Sequence, residues 1–271
     1  MISVKYRPPP PLSDFVELFW YSEKQVSDHS NGREAILPDG CADLVINLSA
    51  NSVRIFDCPE TESLVTMAGT VFCGPRSSPY GILPDAAAVI GVHFRPGGVF
   101  PFLPMPAEEL RNIHLTIDTL YGACAGELRE QLVQASPVSA KFAILEQFLL
   151  RQMTKPLALH RVIGHAVHRF QQNYAVASVL QEVGLSARRF SRVFSEQVGL
   201  TPKIFHRVQR FQKTIASLPM NRHINWSQVA FDSGYCDQAH LIHEFRSFCF
   251  VTPTAFVARN IAQRNHLPLP R

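Results

Sequence analysis

"GLSARRFSRVFSEQVGLTPKIF" (184–205) and "GYCDQAHLIHEFRSFCFVTPTAF" (234–256) are two versions of one pattern. Gly184 matches Gly234. After a one-residue insertion Ser186 matches Asp237, Phe190 matches Leu241 and Phe194 matches Phe245. Thr201-Pro202 matches Thr252-Pro253, and Phe205 matches Phe256. Each copy has a turn glycine and then a Ser or Asp suited to capping a helix N-terminus. Apolar residues follow at helical spacing. Thr-Pro then opens a further helix, with proline at the first position, where its missing N–H costs nothing. A short helical segment precedes each glycine, ending near Val183 and Ser233. Helix, tight turn, capped second helix is the helix-turn-helix pattern. One such hairpin is common in all-α proteins; two copies about 51 residues apart are far more specific.

Charge is divided in the same way. Residues 1–156 carry 12 Lys+Arg against 17 Asp+Glu, whereas residues 157–271 carry 14 against 5, so the second half suits a polyanion. Of the 20 prolines, 15 precede residue 157, which sets a turn-rich half before a helical one. In the first half "PDG" (38–40) signals a turn. Leu44–Leu48, "LVTMAGTVFCG" (64–74) and "AVIGVHF" (88–94) are apolar runs of strand length, as in a small barrel or sandwich. From about Ala107 to Met153 the pattern turns helical, and "KFAILEQFLLRQM" (141–153) is expected to pack on the barrel. The six cysteines form no C-x-x-C pair, no secretory signal is visible, and no apolar run has membrane length. A cytoplasmic protein with reduced cysteines is expected.

The residues just quoted, with "RFQKTIASL" (210–218), resemble the DNA-binding domain of AraC/XylS-family transcription regulators from about His160 to Arg259. "LSDFVELFWY", "LPDGCADLVINL" and "GVHFRPGG" look like the amino-terminal domain of a subgroup of these regulators, a β-rich module of unassigned role. The resemblance implies an α+β chain of two domains. An N-terminal β-rich, cupin-like barrel with helices at its C-terminal side spans 1–153, and a linker spans 154–159. An all-α domain of two helix-turn-helix units joined by one long helix (about Pro202–Leu218) spans 160–262, and a flexible tail spans 263–271. It further implies a sequence-specific regulator whose partner is double-stranded DNA. A small-molecule effector, a homodimer and, for an activator, RNA polymerase are candidate partners. The histidine-rich metal motif of many cupins is not visible, and no cofactor or metal is expected.

On the first second-helix, with Ser186 as cap, Arg188, Ser191 and Arg192 fall opposite the core, at the positions the family pattern uses to read bases. Arg189 is placed at phosphate. On the second, Gln238, Ala239 and His243 face outward with His240 beside them. Arginine can grip guanine, glutamine can pair with adenine and alanine can meet a thymine methyl. Lys203 and Arg207 are expected at phosphate. His240 and His243 could share zinc, but such a site needs further ligands. Relatives usually carry arginine at His243, so the second unit is expected to bind more weakly at neutral pH, or better in acid. Phe250 stands where the first copy has Gly199, a helix-ending glycine. Phe205, Phe211, Trp226 and Phe231 are read as core.

Trp20, Asp39, Cys41, His93 and Arg95 are candidates for an effector pocket in the first half, with Arg95 gripping an acidic ligand. The plainer reading makes Asp39 a turn residue, Cys41 a buried small residue and Arg95 the partner of a carboxylate. Two other functions stay open. One is a DNA-repair alkyl-transfer protein using Cys41, which no paired base or zinc-type cysteine cluster supports. The other is a constitutive DNA-binding protein whose front half only dimerises. No catalytic residue is expected; a metal hydrolase on His240 and His243 would lack the H-E-x-x-H glutamate.

Overall fold

A computed structural model describes residues 2–24, 32–56, 64–218, 224–259 and 265–269. Its strands begin with β1 (Ile2–Tyr6), β2 (Val16–Glu23), β3 (Glu34–Ile36), β4 (Asp43–Asn47), β5 (Ser52–Phe56) and β6 (Leu64–Ala68). They continue with β7 (Thr70–Cys73), β8 (Tyr80–Ile82), β9 (Ala88–Phe94), β10 (His114–Thr116) and β11 (His266–Pro268). The helices are α1 (Ile117–Tyr121), α2 (Ala125–Gln134), α3 (Val138–Arg151), α4 (Arg161–Gln171) and α5 (Val176–Val183). They are followed by α6 (Ala187–Val198), α7 (Pro202–Ser217), α8 (Trp226–Asp232), α9 (Gln238–Cys249) and α10 (Pro253–Ala258).

The strands form two sheets, ordered β1-β2-β9-β4-β7-β10 and β11-β3-β8-β5-β6, with antiparallel pairing throughout. Strand alternation sends Phe19, Tyr21, Leu44, Ile46, Ile90, Val92 and Phe94 to one face of the first sheet. There they pack with Leu128 and Leu132 of α2 and Phe142, Leu145 and Phe148 of α3. The apolar stripe of α3 thus covers the sheet. On the other face Val71 and Cys73 meet Ile55 and Tyr80 of the second sheet. Both faces being covered, all four residues of β7 are buried. The stretch after Ala107 is less uniformly helical than its pattern suggests: a 3₁₀ turn at 107–110 and edge strand β10 come first. Among the described residues no helix is long and apolar enough to cross a membrane.

Helices α4–α10 form the second body around α7. Phe205 joins the core of α4–α6, whereas Val208, Phe211 and Ile215 join that of α8–α10. Phe205 and Phe211 are fully buried, as expected, and Trp226 is half-buried. Phe231 departs from expectation: it is 78 % exposed. Trp226, Val229 and Ala230 take the core-facing positions of the short α8 and leave Phe231 on its outer side.

The two bodies share packing. Ala35, Leu37 and Leu267 belong to the same core as Phe211 and Phe245. Residues 266–268, expected within a flexible tail, instead form β11, which pairs Leu267 with Ala35 and adds a strand to the second sheet. Its one strongly apolar side chain is completely buried, and His266 Nδ1 lies 3.0 Å from Glu34 Oε2. The segment between α3 and α4 is also laid down: Thr154 Oγ1 donates to Leu103 O (2.7 Å), and Leu157 and Leu159 pack on the first core. Leu267→Ala is expected to cost about 2–4 kcal/mol in a urea melt, the usual range for truncating a buried leucine. A variant as stable as the parent would show that β11 is not docked in solution.

Candidate nucleic-acid interface

In the first helix-turn-helix, α5 ends at Gly184 in the left-handed conformation (φ +65°). Ser186 then caps α6, its Oγ accepting from Arg189 N at 3.4 Å. Phe190, Phe194 and Val198 bury one face of α6. The Phe194 ring packs on Phe170 and Phe205, both at 5.6 Å between centroids, which fixes the rotation of α6 about its axis. That rotation leaves Arg188, Arg189 and Arg192 exposed and Ser191 half-buried on the other side. Thr201 caps α7, and Lys203 is exposed in its first turn. The far end of α6 abuts the β domain, where a Cβ on Gly199 (φ +84°) would lie 2.5 Å from Pro75.

The second unit repeats this construction with different fixings. Asn225 caps α8, Gly234 makes the turn (φ +76°), and Asp237 caps α9 by accepting from His240 N at 2.7 Å. Leu241, Phe245 and Phe248 face inward, and Gln238, Ala239 and His243 are exposed. His240 folds back instead: its Nδ1 accepts from Cys236 N at 3.4 Å, and its ring stands edge-on to Tyr235 at 5.3 Å.

Arg207, expected at phosphate, has a partner within the protein that its sequence position did not reveal, its Nε and Nη2 donating to Glu244 Oε1 at 2.9 and 2.6 Å. Arg210 donates to Glu244 Oε2 at 3.2 Å, lies over the Tyr235 ring and reaches Gly234 O. Glu244 is almost fully buried in α9, where a lone carboxylate would be costly. Burial works against its charge, but the two guanidiniums prevail and hold the carboxyl below the usual glutamate range. Neither Glu244 nor Arg210 stood out in the sequence. The available signal was a glutamate on α9 aligned with Val193 of the first copy.

Helix α9 ends at Phe250 in the left-handed conformation (φ +60°), so the phenylalanine adopts the geometry that Gly199 adopts for α6. Such a residue bears strain of about 1–2 kcal/mol.

In the β domain three of the five effector candidates converge. His93 Nδ1 lies 2.7 Å from Asp43 Oδ1, and Nε2 lies 3.6 Å from Asp39 Oδ2. Cys41 completes the group: one ligand-type atom from each of Asp39, Cys41 and His93 lies within 4.8 Å of the others. Burial, with Asp39 adding to it, pushes the Cys41 thiol up to about 12, which suits neither a reactive nucleophile nor an alkyl acceptor. Trp20 lies on the same sheet face, over Gly91. Arg95 is held elsewhere, by Glu17 and the Ser13 carbonyl, so it fits the plainer reading of a carboxylate partner. The turn carrying Asp39 and Cys41 also touches the helical body. Gln209 Nε2 donates to Asp39 O (2.7 Å), Gln212 Nε2 donates to Pro38 O (2.8 Å), and Gly40 lies beneath the Phe205 ring.

Residues 179–259 match the family described as a helix-turn-helix domain, and residues 4–116 match a domain of unknown function (DUF6597). The arabinose operon regulatory protein of Salmonella typhimurium is 24% identical over 242 residues, covering 82% of this chain and 85% of its own. The chain is similar to the AraC/XylS family. This is a family of DNA-binding transcription regulators. The Escherichia coli arabinose operon regulatory protein is 25% identical over 184 residues, 62% of this chain and 63% of its own. Among solved structures, Vibrio cholerae ToxT bound to (E)-4-(8-methylnaphthalen-1-yl)but-3-enoic acid has a TM-score of 0.46 at 10% identity, over 90% of this chain and 98% of its own.

Two outcomes follow from the fixing of α9. Glu244→Gln is expected to lose about 2–4 kcal/mol, because it strands Arg207 and Arg210. In the parent that contribution is complete above the ordinary glutamate range and fades as pH falls through the lowered value. Urea melts of both proteins from neutral to acid pH should therefore converge; a constant gap would mean that the ionised carboxylate is not what stabilises. Phe250→Gly is expected to raise stability by about 1 kcal/mol by relieving the left-handed strain, read as a higher melting temperature. An unchanged or lower value would show that side-chain packing outweighs the strain.

Proposed function

We propose that this AraC/XylS-family regulator reads a bipartite DNA site, with one half for each second helix. The observation that carries this reading is the parallel construction of α6 and α9. Each is capped at its start and buried along one face, and each presents a solvent-facing row on the other. On α6 the row is Arg188, Arg189 and Arg192, with Ser191 among them; on α9 it is Gln238, Ala239 and His243. We assign base contacts to Arg188, Ser191 and Arg192 and to Gln238, Ala239 and His243, with His240 at the rim. Arg189 and Lys203 are assigned to phosphate, which positions without specifying. Arg207 instead braces α9 against α7 through Glu244.

We assign to the β domain the sensing of an effector, read by the helical domain through the turn at 38–41. The convergence of Asp39, Cys41 and His93 beside that turn supports the assignment.

Selection of bound duplexes from a random pool is expected to enrich two short half-sites about one helical turn, ~10 bp, apart. Arg192→Ala should relax one half-site at a cost of about 1–3 kcal/mol. Lys203→Ala should weaken all sequences alike and lower the salt slope by about one. His243→Arg should strengthen binding and raise that slope by about one. An enriched motif unchanged by both Arg192→Ala and Gln238→Ala would overturn the reading.

A further inference from the structure

We propose that Asp39, Cys41 and His93 bind a transition-metal ion of the zinc class, and that its occupancy is felt by the DNA-binding domain through the 38–41 turn. The proposal rests on the effector reading above for its second part only.

The site is assembled from two places that the fold brings together. Pairing of β4 with β9 sets Asp43 opposite His93, so both side chains stand on one sheet face. The turn before β4 supplies Asp39 and Cys41. Asp39 divides its oxygens: Oδ1 accepts from Cys41 N at 2.9 Å and closes the turn, while Oδ2 points to His93 Nε2. His93 divides its nitrogens in the same way, with Nδ1 on Asp43 at 2.7 Å. A carboxylate on the far nitrogen of a metal-binding histidine is the usual arrangement, because it fixes the ring and raises its basicity. The near nitrogen is then directed at the carboxylate and the thiol.

Distances and donor types fit a metal. The 3.6 Å from His93 Nε2 to Asp39 Oδ2 is long for a hydrogen bond. Two metal bonds of about 2.0–2.1 Å at a tetrahedral angle place nitrogen and oxygen about 3.4 Å apart, so the pair needs only a small shift. Thiolate, imidazole and carboxylate together suit zinc and its neighbours rather than calcium or magnesium, which take oxygen ligands. Three protein donors leave a fourth position for water or another ligand. Two carboxylates and a thiol around one imidazole also favour a cation over an activated thiolate. In the metal-free protein a proton on Nε2 can serve the same partners; the ion displaces it and the thiol proton.

The second part follows from what else the turn does. Gly40, between the two ligands, has φ +84°, and a Cβ there would lie 2.9 Å from the Phe205 ring. The carbonyls of Pro38 and Asp39 receive Gln212 and Gln209 of α7. An ion held by Asp39 and Cys41 therefore restrains the backbone on both sides of the glycine that α7 rests on. Because α7 carries both helix-turn-helix cores, restraint of this turn reaches both reading helices.

The test is a Co²⁺ titration of the full chain, reduced and freed of metal by chelation. One equivalent is expected to give visible bands of tetrahedral intensity and a near-ultraviolet thiolate-to-cobalt charge-transfer band. Cys41→Ser should abolish the charge-transfer band, and Cys236→Ser should retain it. Asp43→Asn should keep the bands and weaken affinity about 10–100-fold. Asp39→Asn and His93→Gln, with melting temperatures taken without metal, separate loss of the site from loss of fold. No charge-transfer band, or one that survives Cys41→Ser, would overturn the site. For the coupling, Co²⁺ should raise the melting temperature and change DNA affinity at fixed salt in the parent but not in Cys41→Ser. An occupied site that leaves affinity for a bound duplex unchanged would overturn the coupling alone. Failure of every form to bind DNA would instead count against the DNA-reading assignment, leaving the cobalt result to stand by itself.

Discussion

The burial of α7 is the constraint on which the rest of this structure depends. A helix of sixteen residues has room for only a few large apolar side chains on each face. Here Phe205 is committed to the first unit, Val208, Phe211 and Ile215 to the second, and Gln209 and Gln212 to the β domain. Helices α6 and α9 are therefore not independent modules on a string. Each is oriented by rings packed on the same rod: Phe194 on Phe205 for α6, and Phe245 on Phe211 for α9. A substitution that reshapes Phe205 or Phe211 would move the exposed row of α6 or α9 without touching any residue of that row.

The two halves of the rod are fixed by different physics. The α6 side is held chiefly by a cluster of phenylalanine rings. The α9 side contains Glu244, buried between Arg207 and Arg210. Buried ion pairs seldom add net stability over an apolar alternative, because desolvation cancels much of the attraction. Their value is geometric. Guanidinium bonds from successive turns of α7 hold α9 at one rotation and one height, and Arg210 also holds the turn at Gly234 and Tyr235. The α9 unit thus adds directional bonds to its own aromatic packing.

Much of this was legible in the sequence where the signal is local. Gly184, Ser186, Thr201 and Pro202 announce their structure because turns and caps depend on the residue present. The apolar spacing of α3 and α6 and the strand runs at 88–94 and 64–74 are equally local. What was hidden is long-range. Arg207 looks like any other cation on a basic helix until α9 brings Glu244 to it across 37 residues. Phe231 reads as core because aromatic residues usually are, and only the short register of α8 turns it outward. Leu267 sits in a stretch whose composition suggests a loose end, and only the open edge of β3 gives it a place. Asp39 and Cys41 read as a turn residue and a small buried residue. They are both, but His93 arrives beside them only through the pairing of β4 with β9.

The shared core limits how the β domain can influence α6 and α9. Ala35, Leu37 and Leu267 are each at most 2 % exposed and lie in the same core as Phe211 and Phe245. Separating the bodies would expose these side chains, at about 25 cal/mol for each Å² of apolar surface. It would also break the β11 pairing and both glutamine bonds from α7. A hinge opening of that kind competes poorly with smaller changes that keep the core closed. The economical route for a signal is therefore the stiffness and exact set of the 38–41 turn, transmitted through Gly40 to Phe205 while the apolar packing stays intact. Such a signal need only bias which small displacements of α7 are populated, and a ligand can do that to the extent that it binds one arrangement better than another.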